Sequence, residues 1–262
     1  MYALITLKLL MLIEFTHQGQ RFRAVLSRPI DISIPLRAGL ETVNCFYAPP
    51  METEPVVAGS FVGSTALGGP VNFLNVRFNP HGNGTHTECL GHIAKEPYTI
   101  NQCLEQFCFV SRLISLYPSK TEEGDRIIFR EQLQEALDGY PPSEALVIRT
   151  LPNDDLKLRA HYSGANPPYF HHEAIAFLVE CGVRHLLVDL PSIDREEDGG
   201  QLLAHHAFWQ YPDNPRTDCT ITELVFLNNS IRDGLYLLNI QAASFEIDAS
   251  PSKPVLYELE LC

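Results

Sequence analysis

The residues of this chain best suited to chemistry lie in one run, Asn79-Pro80-His81-Gly82-Asn83-Gly84-Thr85-His86-Thr87-Glu88-Cys89-Leu90-Gly91-His92. Three histidines and a carboxylate fall within twelve residues, His81 to His92, with glycines threaded between them. Glycine has no Cβ, so the backbone can turn sharply and approach a ligand closely. Neutral imidazole and carboxylate together form a donor set for a divalent ion such as zinc, manganese or iron. If 85–88 is extended, side-chain alternation puts His86 and Glu88 on one face. His81 would then arrive from the glycine turn, with His92 beyond it as a proton carrier. The plainer alternative is a polar loop whose histidines are only hydrogen-bonded. The density of donors favours the metal reading. Cys89, inside the run, is either a nucleophile or soft ligand, or a small packed residue as free cysteine commonly is.

The run resembles the signature of the cyclase family of metal-dependent hydrolases, which includes bacterial kynurenine formamidase and isatin hydrolase. The family pattern is His-x-Gly-Thr-His-x-Asp-x-Pro-x-His, and Gly84, Thr85, His86 and His92 match it in register. His81 stands one residue early, Glu88 replaces the aspartate, and Cys89-Leu90-Gly91 replaces the residues before the last histidine. Asp31-Ile32-Ser33-Ile34-Pro35-Leu36 resembles the family's opening strand, and Asp189 to Asp194 resembles a strand-to-loop element that borders its active site. Ala204-His205 resembles the place of a later histidine ligand, with His206 as its rival, and Glu223 matches the glutamate that follows. The spacing from His205 to Glu223, 18 residues, is longer than the family usually shows, and 211–218 can absorb the excess as an inserted loop.

The resemblance implies that His81, His86 and Glu88 are first ligands, with His205 and Glu223 completing one site or bridging a second ion. It implies zinc or manganese as cofactor, and hydrolysis of an aryl-formamide or cyclic amide by activated water. His92 would accept the proton from that water and deliver it to the leaving nitrogen. A small-molecule substrate and a homodimer or homotetramer go with this, and residues 242–250 would lie near the pocket. Two other functions fit the altered signature. One is a metal-free family member that binds a small molecule or a partner; the other is a metal-dependent cyclase or dehydratase.

Composition bounds the rest. The 262 residues carry 19 Lys and Arg against 32 Asp and Glu, a net charge of -13, which argues against general nucleic-acid or anionic-membrane binding. Seven cysteines, an odd number without a Cys-x-x-Cys pair, fit reduced thiols in a cytoplasm better than a disulfide framework. The apolar run from Leu4 to Ile13 is broken by Lys8 and is too short to span a bilayer.

The elements that must position these residues follow from periodicity. The expected fold is a single α/β domain over 1–262 with peripheral helices, and the resemblance implies that it is built on a mixed, partly barrel-like sheet. Residues 1–15 form an N-terminal strand or extension, read as a strand from Leu4 to Phe15. Ile30, Ile32 and Ile34 alternate as in a strand. Residues 39–70 form a long loop region with short strands, whose Phe46, Tyr47 and Phe61 either wall a pocket or plug the loops. A strand over 71–78 leads into the signature, and further strands are expected over 108–116, 145–148, 183–190, 236–240 and 255–261. Short helices are expected over 101–107, 131–137 and 202–209. The clearest helix begins near Asn166, capped by it and opened by Pro167-Pro168, with Ile175, Leu178 and Val179 as its apolar face and Gly182 as its stop. His171-His172-Glu173 on this helix is no metal motif, because Ala176 occupies the second histidine position of His-Glu-x-x-His.

Overall fold

Ala145-Leu146-Val147-Ile148 is apolar without alternation, the pattern of a strand covered on both faces. A computed structural model, describing residues 11–262, shows both covers. Ten strands form the main sheet: β1 (Leu12–His17), β2 (Gln20–Val25), β3 (Ile30–Asp31), β4 (His86–Cys89), β5 (Cys108–Leu116), β6 (Ala145–Thr150), β7 (His185–Val188), β8 (Thr220–Glu223), β9 (Gly234–Ala242) and β10 (Ala249–Leu261). Neighbours run in the order β10, β9, β5, β6, β7, β8, β4, and β4 pairs again with β10, so seven strands close into a barrel. β5, β6, β7 and β8 are mutually parallel and the other ring pairings are antiparallel. The β1–β2 hairpin extends the sheet from the far end of β10.

The lumen is filled from nearly every side, by Cys89, Phe109, Leu113, Ala145, Val147, Leu187, Leu238, Ile240 and Leu256. The alternate residues Leu146, Ile148, Leu186, Val188 and Ile221 turn outwards. There they meet the helices α2 (Arg130–Leu137), α3 (His172–Glu180) and α4 (Leu203–Trp209) through Leu133, Ile175, Leu178, Phe208 and Trp209. Each large side chain buried this way stabilises the fold by about 1.5–3 kcal/mol. A fourth helix, α1 (Ile100–Cys103), is a single turn where a longer segment over 101–107 was expected.

The alternation of Ile30, Ile32 and Ile34 does mark a core-facing edge: Ile32 and Ile34 are buried, although only Ile30–Asp31 pairs as a strand. Two other expectations are corrected. The helix does not begin near Asn166. That residue is in the left-handed region and donates its Nδ2–H to Asp125 Oδ1, while Tyr169–Phe170 pairs in parallel with Arg126–Ile128. The helix starts only after this extended piece, capped by His171, whose Nδ1 accepts from Glu173 N–H. The strand before the signature is Leu74–Arg77, shorter than 71–78, and it pairs with Glu52–Pro55 in an exposed hairpin arm outside the barrel. Of the N-terminal strand, the part before residue 11 lies outside the described residues. Among those described, no helix is long and apolar enough to cross a membrane.

His185 on β7 points away from the helices, stacks 4.0 Å from the Phe109 ring and shares a 2.9 Å hydrogen bond with Thr220 Oγ1. Burial first, then the charges of Arg184 and Arg216, push its pKa down to about 3 despite the opposing pull of Asp218. In the unfolded chain it titrates near about 6.5. The stabilisation from keeping it neutral is therefore complete above that pH and is lost as pH falls towards about 3. Urea midpoints measured at pH 7 and pH 5 will converge for His185→Gln relative to the native chain; equal acid sensitivity of the two proteins would refute this role.

Candidate metal centre

The β4–β8 register sets the centre. Glu223 sits opposite His86 and Ile221 opposite Glu88, and on the other edge β10 places Ala249 beside Glu88. His86 and Glu88 alternate with Thr87 and Cys89, so they share the helix-facing side with Glu223. Thr87 turns the other way and bonds Thr222 at 2.8 Å between the hydroxyls. Thr85 Oγ1 ties the approach to β4 down: it donates to Leu224 O and accepts from Ile34 N–H at 2.7 Å.

The turn before β4 is held by asparagines. Asn79 Oδ1 accepts from Gly82 N–H at 2.9 Å, and Asn83 Oδ1 from Asn79 N–H at 2.7 Å. A Cβ on residue 82 would meet the Ala48 Cβ at 2.3 Å. Position 82 is thus closed to any side chain, and the histidine that the signature carries there stands at 81. His81 still reaches the cluster, with Nδ1 3.2 Å from Glu88 Oε2 and its ring 5.1 Å from that of His86. Gly91 is fixed in the same way, because a Cβ there would meet Tyr98 O at 2.0 Å.

The helix α4 delivers His205. Its Nε2 lies 3.1 Å from Glu88 Oε1 and 3.9 Å from Glu223 Oε1, and its Nδ1–H donates to Asp194 Oδ2 at 2.6 Å. Asp194 also accepts the N–H groups of Ala204 and His205, at 2.8 and 3.0 Å, so one carboxylate caps the helix and orients its histidine. The neighbouring His206 faces elsewhere and shares a 2.9 Å hydrogen bond with Tyr211 O. His92 lies at the open side, its ring 4.4 Å from His81, with Nδ1 3.3 Å from Asp248 Oδ2 and Nε2 3.8 Å from Glu88 Oε2. His81 Nε2–H donates to the same Asp248 oxygen at 2.9 Å.

The structure therefore gathers His81, His86, Glu88, His92, His205 and Glu223 in one place. Cys89 is left in the lumen, on the other face, with its thiol pKa raised by Cys103 and by burial. Two residues of the centre had no role assigned from sequence. Asp194 belongs to the 189–194 turn, and Asp248 to the loop before β10; neither lies in a local pattern of its own.

The donor chemistry fits a cation. Glu88 and Glu223 are almost completely buried, and among the described residues no lysine or arginine pairs with them, with Asp194 or with Asp248. His86 Nδ1–H donates to Gly84 O at 3.0 Å, which leaves Nε2 as a bare lone pair 3.4 Å from Glu223 Oε2. That nitrogen and Glu88 Oε2 are both buried without a hydrogen-bond partner. An orphaned buried polar atom costs about 1–3 kcal/mol unless something satisfies it. Burial would raise the Glu88 pKa, but the charge of His92 and the contacts of His205 and His81 hold it well below the usual range. His205 shows the complementary effect: burial lowers its pKa, while Asp194 and Glu88 carry it to about 10. The field of the site thus favours positive charge. His81, His86 and Glu88 bring ligand atoms within 4.8 Å of one another, as do Glu88, His92 and His205, and each group could hold an ion.

The family model described as "Putative cyclase" matches residues 30–195. Kynurenine formamidase of Bordetella petrii is 28% identical over 191 residues, covering 72% of this chain and 82% of that protein. The fold is shared with a potential metal-dependent hydrolase with cyclase activity, at TM-score 0.63 and 14% identity over 88% of this chain and 97% of that one. It is also shared with isatin hydrolase A of Labrenzia aggregata bound to benzyl benzoate, at TM-score 0.62 and 14% identity over 88% and 93% of the two chains.

Asp194 is the outer partner of a ligand-type histidine, and loss of such a partner costs about 10–100-fold in metal affinity. Asp194→Asn will lower zinc affinity by that order in chelator competition while circular dichroism stays native-like. Unchanged affinity would leave Asp194 as a helix cap alone.

Proposed function

The chain belongs to the cyclase family, and from that premise we propose that it is a metal-dependent hydrolase of the kynurenine-formamidase type, acting on an aryl-formamide or cyclic amide. The observation that carries this reading is the pair of buried carboxylates, Glu88 and Glu223, set among imidazoles and, among the described residues, with no lysine or arginine to neutralise them. His81, His86, Glu88, His205 and Glu223 would hold zinc or manganese. When bound, such an ion supplies Lewis-acid polarisation of a carbonyl and makes water acidic enough to attack near neutral pH.

The residues around it divide the remaining work. Asp248 accepts from His92 Nδ1–H, which keeps His92 Nε2 bare and turned towards the cluster. In that tautomer His92 takes a proton at Nε2 and returns it to the leaving nitrogen, a task suited to imidazole at neutral pH. Asp248 also fixes His81, so one carboxylate sets two rings in register. Asp194 keeps His205 Nδ1 protonated and its Nε2 aimed inwards. Phe78 and Phe245 stack 6.1 Å apart on the segments that carry His81 and Asp248, which supports an aromatic substrate. The exposed Val71, Phe73, Leu74 and Val76 of the hairpin arm give a surface for the homo-oligomer proposed with this reading.

The test is elemental analysis of the purified protein and two variants. The native chain will carry about one or two equivalents of zinc or manganese, and His86→Ala will lose them. His92→Gln will retain the metal but lower kcat on N-formyl aryl amines or lactams by about 10²–10⁴-fold. A native protein that stays metal-free after incubation with both ions would overturn the mechanism and leave a metal-free binding protein.

A further inference from the structure

Outside the metal centre, the other buried charges among the described residues are paired. Arg149 meets Asp233 at 3.0 Å and also donates to Ser115 Oγ and two carbonyls, and the buried Asp189 receives Lys157 at 2.7 Å and the Thr150 N–H. Arg112 is different. It is only 6% exposed, yet among the described residues its guanidinium makes no hydrogen bond and no ion pair, and its Nε is buried without a partner. It packs on the Tyr140 ring, whose centroid lies 3.8 Å from the guanidinium carbon.

The placement follows from the strand. On β5, Phe109 and Leu113 enter the lumen, so Arg112 turns to the helix side together with Ile114. There it lines a cavity of about 400 Å³ beneath α2 and α3, walled by Leu137, Tyr140, Pro141, Phe177, Cys181 and Val183. None of the residues of the metal centre belongs to this cavity. Tyr140 covers one face of the guanidinium, a cation–π contact that leaves the edge N–H fork free. That fork matches a carboxylate by two parallel charge-assisted hydrogen bonds, and mostly apolar walls with a few polar groups, here Arg112 with Gln134, Asp138 and Ser143, are the usual make-up of a small-ligand site.

We propose that this cavity is a binding site for a small organic carboxylate with a flat apolar body. The carboxylate pairs with Arg112, and the body lies against Leu137, Phe177 and Val183. Phosphate could use the same fork, but Asp138 also lines the cavity and repels a second negative charge, and the Ser143 hydroxyl is taken up by the carbonyls of Val110 and Ala145, so the singly charged organic carboxylate is the favoured ligand.

Cys181 is free, partly exposed and part of the wall, so its alkylation reports occupancy of this cavity and not of the metal centre. The rate of iodoacetamide modification at Cys181, read by peptide mass spectrometry, is measured with phenylacetate, phenylacetamide and inorganic phosphate. Phenylacetate at ten times its dissociation constant slows the reaction by about tenfold. The uncharged amide and phosphate leave it unchanged. Arg112→Gln weakens phenylacetate protection by about tenfold or more, as loss of a charge-assisted pair requires. Absence of protection by phenylacetate, equal protection by the amide or by phosphate, or protection that survives in Arg112→Gln would each overturn the proposal. If Arg112→Gln does not fold, the contrast among the three ligands on the native chain decides it.

Discussion

The structure turns on Glu88. It is a carboxylate buried where β4, β8 and β10 meet, approached by His81, His92 and His205 and by no lysine or arginine among the described residues. Burying an unpaired carboxylate costs several kcal/mol, and a cation or protonated imidazoles must offset it. Much of the surrounding fold serves to bring those imidazoles to it. Closure of the barrel puts β4 between β8 and β10, so that His86 faces Glu223 on one side while the chain bearing Asp248 enters on the other. The loop after β7 turns back so that Asp194 can receive the first N–H groups of α4, and this fixes the direction from which His205 arrives.

The same geometry accounts for the altered signature. The histidine stands at 81, from which it still reaches Glu88, while residue 82 touches Ala48 too closely to bear a side chain. Two carboxylates that match no signature position, Asp194 and Asp248, complete the arrangement. Each orients a ring, and each belongs to a segment far away in sequence.

Local pattern made part of this legible. The alternation at His86 and Glu88 gave their common face, the apolar run 145–148 gave a strand, and the barrel-like mixed sheet followed from the resemblance. What stayed hidden depended on long-range closure. Nothing near Asp248 signals that the strand after it pairs with β4, and nothing near Asp194 signals that it caps a helix nine residues further on. Local signals also misled where tertiary bonds outweighed them. Asn166 followed by two prolines has the form of a helix start, but the Asp125 carboxylate and the pairing of Tyr169–Phe170 with Arg126–Ile128 hold that stretch extended. Adjacent histidines were ambiguous for a similar reason: the choice between His205 and His206 is made by the rotation of α4 against the barrel.

One rule of charge connects the two ends of the helix-facing surface. Among the described residues there are both a buried carboxylate group without fixed cations and a buried guanidinium without a fixed anion. They do not neutralise each other, because β4 and β8 carry the first while β5 carries the second. β6 and β7 lie between β5 and β8 in the ring. Packing energy from the apolar layer around Leu146, Ile175 and Leu178 holds both groups in place, in spite of the cost of leaving each unpaired. A side chain kept buried at such a cost defines its absent partner by sign and shape. Clustered carboxylate and imidazole donors suit a small divalent cation, and a planar N–H fork within mostly apolar walls suits a carboxylate.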